Sequence, residues 1–159
     1  MTTNPADFIE MTARSGASII TVHAETINTD AFRTINLIHS LGCKVGIALN
    51  PATPLSYIQH YIDRVDVLTI MGIDIGFTGQ SFIDEMLGKI RAACELREKN
   101  GYSYAIQVDG GGNKANYRSL NDAGTEIFIV GGSGLFSLDS DLEVACQKMK
   151  AEFQTAIAD

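Results

Sequence analysis

Positive charge is scarce in this sequence. Twelve lysines and arginines stand against nineteen aspartates and glutamates, a formal net charge of −7, and nowhere do several basic residues gather. A field of that sign repels phosphodiester backbones, which argues against nucleic-acid binding. Small anions are still admissible, because backbone amides and helix N-termini hold them without a basic surface. Cysteine is scarce too. Cys43, Cys94 and Cys146 lie far apart and make no CxxC or zinc-type spacing. An odd count with no signal peptide points to reduced thiols in a cytoplasm, each expected to serve as a small buried hydrophobe. No apolar run approaches the roughly 20 residues of a membrane span, and the polar residues after Met1 give no targeting segment. Linkers and low-complexity tracts are missing as well. The 159 residues, 45% hydrophobic and 19% charged, therefore read as one globular domain with a sizeable core.

What the sequence does contain is alternation. Five short segments dense in Ile, Val, Leu and Phe read as strands buried on both faces: "ASIITVH" (17–23), "KVGIAL" (44–49), "DVLTIM" (66–71), "YAIQVD" (104–109) and "EIFIVG" (126–131). Segments with helical spacing separate them. "NPADFIEMTARSG" has Asn4 as an expected N-cap, and "TDAFRTINLIHSLG" places Phe32, Ile35 and Leu37–Ile38 on one face. "PLSYIQHYIDR" (54–64) reads as a shorter helix and "SFIDEMLGKIRAACELREKNG" (81–101) as the longest. "KANYRSLNDAG" and "DLEVACQKMKAEFQTAIA" complete the set. Strict β/α alternation implies right-handed crossovers and a parallel sheet. The chain opens on a helix with no strand before it.

In parallel α/β folds the ligand site lies at the carboxyl ends of the strands. There the first strand delivers His23 and Glu25, and the second ends in Asn50–Pro51. The third runs into "MGIDIGFTGQ", the fourth into "VDGGGNK" and the fifth into "VGGSGLF". Three consecutive tips of small residues suit an anion, since glycine lets backbone N–H groups approach it. Gly131, Gly132 and Ser133 in particular fit the phosphate loop found after the last strands of (β/α)8 barrels. "GGGNKA" (110–115) also matches a dinucleotide fingerprint formally, but it falls late in the chain and Asp109 would crowd a pyrophosphate. Asp109 is open to two readings, a turn cap or a chemical group. His23 reads first as a hydrogen-bonded interior histidine, His39 and His60 as solvated, and Met71 as core.

"VGIALNPATP", "MGIDIGFTGQSFIDEMLGKI", "QVDGGGN" and "IVGGSGLF", in this order and spacing, resemble the ribulose-phosphate 3-epimerase family over nearly the whole chain. "ITVHAETIN" and "FIVGGSGLF" look closest to its D-allulose-6-phosphate 3-epimerase branch. The resemblance implies a phosphate-binding (β/α)8 barrel that inverts C3 of a ketose phosphate. One carboxylate takes the proton and a second returns one on the opposite face, while a divalent metal (zinc, iron, manganese or cobalt) steadies the enediolate. It implies that Asp109 is both metal ligand and acid/base group. Gly76, Phe77, Thr78, Gly79, Gly110, Gly111, Gly131, Gly132 and Ser133 would grip phosphate, with Met71 lining the pocket. His23 matches a histidine of the family's fourth strand.

The departures from the family pattern carry further expectations. Ile75 stands where a proline is usual and Gly72 where a β-branched residue is, so the phosphate loop is expected to be looser. The family's early strands supply a serine, a His-x-Asp pair and a His-Leu-Met motif, and Met1 aligns with the Met of that motif. Residues 1–159 are therefore expected to be the C-terminal part of a single barrel domain, strands four to eight of it, N-terminally truncated and with little or no epimerase activity. Metal binding by this chain is doubtful on that expectation. A non-catalytic sugar-phosphate-binding remnant, or another phosphate-binding-barrel enzyme, is the alternative. A ketose phosphate is the expected partner, with no membrane or nucleic acid; self-association through the open sheet is a further expectation.

Overall fold

A computed structural model describes residues Met1–Ala158. Five α-helices and five strands follow one another, alternating except between β2 and β3: α1 (Ala6–Arg14), β1 (Ile19–His23), α2 (Ala31–Ser40), β2 (Lys44–Leu49), β3 (Val67–Met71), α3 (Glu85–Asn100), β4 (Ala105–Asp109), α4 (Tyr117–Ala123), β5 (Ile127–Ile129) and α5 (Leu142–Ala158). All neighbouring strands are parallel, and the spatial order β1-β2-β3-β4-β5 repeats the chain order. Each crossover thus steps one strand along in the same direction. That is the winding of a β/α barrel rather than of a doubly wound sheet, whose order reverses at a switch point. Five strands leave the curve open. β1 and β5 are its two edges.

The sheet's two faces differ. Ile20, Val22, Val45, Ile47, Leu49, Leu68, Ile70, Ile106 and Val108 form one continuous core with Ile9 of α1, Ile35 and Ile38 of α2, Ile90 and Ala93 of α3, and Leu120 and Ala123 of α4. α5 docks through Phe153, whose ring meets Tyr117 at 5.3 Å and Phe128 at 5.1 Å, both edge-on. The opposite, concave face carries small and polar residues. β2 and β3 are buried on both faces as expected, but β1 and β4 alternate between buried and open positions. The open positions point into the concavity, which the two outer strands do not close over. The concave side of β2 carries Gly46, because Thr21 of β1 lies across it: a Cβ there would fall 2.1 Å from the Thr21 hydroxyl.

Several local expectations are corrected. The segment 54–64 is not an α-helix but two 3₁₀ turns, Leu55–Ile58 and Ile62–Arg64. Bonds such as Tyr57 N–H to Pro54 O and Arg64 N–H to Tyr61 O close three-residue steps. Two β-branched isoleucines and two tyrosines lose rotamer freedom in a short helix, and burial of Ile58, Tyr61 and Ile62 needs only the turns. α3 starts at Glu85 rather than in the preceding SFID stretch. Pro5, not Asn4, occupies the N-cap of α1, and the Asn4 amide donates instead to Asp7 at 2.7 Å. In α2 the buried stripe is Ala31, Thr34, Ile35 and Ile38. Phe32 lies outside it, flanked by Tyr61 and by the Arg64 guanidinium 5.2 Å from its ring centre. Cys43 alone of the three free cysteines is fully buried; Cys94 and Cys146 are half-buried.

Candidate active site

The concave face is layered by strand register. His23, Ala48, Thr69, Gln107 and Ile127 form one row, and Met71, Asp109 and Ile129 form the row above it. All of these but Ile127 line an open cavity of about 550 Å³ whose other wall comes from Met1, Pro5, Phe8 and Thr12. Gln107 donates to the Thr69 hydroxyl at 3.0 Å, giving the floor a fixed polar pair. Met71 lines the cavity and is itself buried.

Asp109 is the last residue of β4 and, among the described residues, the only carboxylate on the cavity wall. Its side chain forms no hydrogen bond with the described residues, so the turn-cap reading is not realised. Burial pushes its carboxyl up from the ordinary value, against the opposing pull of His23 across the cavity. A carboxyl whose charged form is poorly solvated, and which is open to a cavity, is suited to exchanging a proton with a ligand.

The glycine tips abut one another above Asp109. Gly72 N–H donates to Asp109 O at 2.7 Å, and Gly72 O accepts from Ile83 at 2.9 Å. A Cβ on Gly72 would come 2.3 Å from Gly110 O and 2.9 Å from the Phe82 ring. The glycine at 72 therefore permits a tighter approach of the third and fourth tips, contrary to the expected loosening. Gly110 and Gly111, at φ of 100° and 79°, turn the chain sharply where Ile73 and Phe82 leave no room for side chains. The fourth tip meets the fifth where Gly134 packs on Gly112 O, and Asn113 donates to the Ser133 hydroxyl at 3.3 Å. Gly131 caps and Gly132 and Ser133 begin a five-residue π-helical turn (Gly132–Phe136), and all three are exposed. Gly76, Phe77, Thr78 and Gly79 lie in the exposed loop after β3, which the Gln80 amide pins by donating to Asp74 O at 2.6 Å and Phe77 O at 2.9 Å. The tips therefore share one rim but do not line the Asp109 cavity itself.

His23 borders the cavity but is not the hydrogen-bonded interior histidine expected. Its Nδ1 is buried without a hydrogen-bond partner, and Glu25 Oε2 lies 3.5 Å from it. Glu25 itself is tied down. Its Oε1 accepts from Asn50 N–H at 3.0 Å and from the Thr53 hydroxyl. Burial alone would raise the Glu25 carboxyl, but those bonds and the nearby His23 outweigh it and hold the group below its ordinary value. From the far side Lys89 of α3 donates to Asn50 O at 2.8 Å and Thr53 O at 2.5 Å. Residue types alone gave Lys89 no role. The available signal is a lysine set on the stripe of Met86, Ile90 and Ala93, where a solvated charge does not belong.

The residues present do not fit a resident divalent ion. Among the described residues no group of three or more His, Cys, Asp or Glu side chains could hold one, and a tight protein site takes three or four such donors.

Sequential parallel winding, with the polar groups gathered at the carboxyl rim, places the molecule among β/α barrel proteins as a partial barrel. A profile of the ribulose-phosphate 3 epimerase family matches residues 1–136. The chain belongs to that family. It is 40% identical over 144 residues to the ribulose-phosphate 3-epimerase of Buchnera aphidicola subsp. Baizongia pistaciae, covering 91% of this chain and 63% of that protein. To the proteins of the same name from Escherichia coli K12 and Treponema pallidum it is 39% identical, over 88% and 86% of its own length. The chain spans about three fifths of these relatives, 61% and 62% of the latter two.

Proposed function

We propose that this chain carries the phosphate-gripping, Asp109-bearing part of a ketose-phosphate 3-epimerase site. Asp109 is the group that exchanges the proton at C3, and the abutting tips at Gly76–Gly79, Gly110–Gly111 and Gly131–Ser133 receive the phosphate through backbone N–H groups. Met71 packs against the sugar. The observation that carries this reading is the setting of Asp109: its side chain is free of internal hydrogen bonds, pushed toward holding its proton, and faces a cavity next to the rim that the glycine tips share. D-Ribulose 5-phosphate fits the name of the relatives. D-Allulose 6-phosphate fits the branch that "ITVHAETIN" and "FIVGGSGLF" resemble.

Inverting C3 needs a proton removed from one face and another delivered to the opposite face. One carboxylate on the cavity wall supplies one of those roles. The isolated chain therefore binds a ketose phosphate but turns it over little or not at all. A cytoplasmic setting goes with three free cysteines. Calorimetric titration with D-ribulose 5-phosphate and D-allulose 6-phosphate tests the reading, alongside a coupled epimerase assay with added divalent metal. Binding is expected, and Gly131→Asp should abolish it by repulsion, since a side chain at that position meets nothing within 4 Å. Absence of binding, or robust turnover by the 159-residue protein, would overturn it.

A further inference from the structure

Three of the four buried polar atoms left without a hydrogen-bond partner among the described residues sit together at the tips of β1 and β2: His23 Nδ1, Glu25 Oε2 and Asn50 Oδ1. Unpaired buried polar atoms are costly, and a cluster of them beside a cavity calls for a reason beyond packing. Around them the structure is tightly determined. The turn from Asn50 to Thr53 gives donors to Glu25 and its carbonyls to Lys89, so a carboxylate and an ammonium hold it from opposite sides. The turn closes on itself through Thr53 N–H to Asn50 O at 3.0 Å. Glu25 Oε1 is thus spent on the turn. Oε2 is left directed toward the His23 ring.

We propose that Glu25 is a positioning residue for His23. Its free oxygen draws the ring proton to Nδ1, and the clamp of Lys89 on the turn fixes where that oxygen stands. In a neutral imidazole with the proton on Nδ1, Nε2 is an acceptor. His23 lines the Asp109 cavity, and its side chain is only 12% exposed. That places Nε2 where it accepts a hydrogen bond from a hydroxyl of the sugar phosphate, across the cavity from Asp109. The hydroxyl contact rests on the ketose-phosphate reading above. The arrangement of Lys89, turn, Glu25 and His23 does not.

Long-range ¹H–¹⁵N NMR of the imidazole, recorded at alkaline pH on the whole chain, reads the tautomer directly. His23 is expected as the Nδ1–H form in the wild type. Glu25→Gln should convert it to a mixture or to the Nε2–H form, and Lys89→Met should shift it the same way by less, with circular dichroism reporting that each variant is folded. A purely structural Glu25 would leave the tautomer of the folded protein unmoved. A wild-type ring in the Nε2–H form overturns the proposal, as does an unchanged tautomer in folded Glu25→Gln; should that variant not fold, an unchanged ring in Lys89→Met does so. His23→Phe is expected to weaken D-ribulose 5-phosphate binding about five- to tenfold, the loss of one hydrogen bond. If no sugar phosphate binds the wild type, the ketose-phosphate reading and the hydroxyl contact fail together, while the tautomer still decides what Glu25 does.

Discussion

Asp109 and Glu25 are carboxylates on one rim with opposite electrostatics. Burial raises Asp109 and little repays it, so its ionised form is destabilised in the folded chain. The native state then binds more protons than the unfolded state as pH climbs through the carboxylate range, and stability falls there. Asp109→Asn should raise the thermal midpoint at neutral pH, with the gain vanishing in acid below the ordinary aspartate range. Glu25 runs the other way. Its lowered carboxyl contributes stability that is present above the unfolded value and lost as pH falls through the folded one. Glu25→Gln should cost about 1–2 kcal/mol at neutral pH by denaturant titration, with wild type and variant converging in acid. Gly72 gives a third residue-scale test. Gly72→Ala drives a methyl against Gly110 O and the Phe82 ring, and about 1–3 kcal/mol of destabilisation is expected from such overpacking.

At the scale of elements, the loop between β3 and α3 hangs from a single side chain. Gln80 bonds two carbonyls of a segment that is otherwise exposed, Phe77 being 69% accessible. Gln80→Ala should speed amide hydrogen exchange over residues 73–80 while leaving global stability within about 0.5 kcal/mol. The five strands and their parallel winding could be read in advance because short apolar runs and period-3.6 patterns are local, although one helix too many was expected and Phe32 was expected on the α2 stripe. The 3₁₀ turns at 54–64 could not, because Ile58, Tyr61 and Ile62 recur at spacings that a helix shares. Asp109 and its glycines stood out as a strand tip. Lys89 did not, and Glu25 was placed at a tip without its partners, because their roles arise from contacts 36 to 39 and 25 to 28 residues apart in the chain. Gly72 was misjudged for the same reason, its constraint coming from Gly110 of the fourth tip and from Phe82 ten residues on.

For the whole molecule, the open curve leaves β1 and β5 each paired on one side only and puts Ile19 and Ile129 at the surface, 41% and 40% exposed. Backbone edges of this kind recruit further strands. Self-association that grows with protein concentration is expected by light scattering, and Ile19→Lys should suppress it by charging the β1 edge. The alternation seen in β1 and β4 belongs to the same cause: side chains that a closed cylinder would bury keep one side free.

The order of the sheet also bears on how the molecule comes into being. Every strand pairs with the one synthesised just before it, so no segment waits for a distant partner. Short-range closure lowers the entropic barrier to folding. A nascent chain leaving the ribosome could therefore lay down its sheet edge by edge, each new unit completing its predecessor's docking surface. The same stepwise growth makes a β/α protein divisible at unit boundaries, so that a stretch of consecutive units retains a shared core of its own.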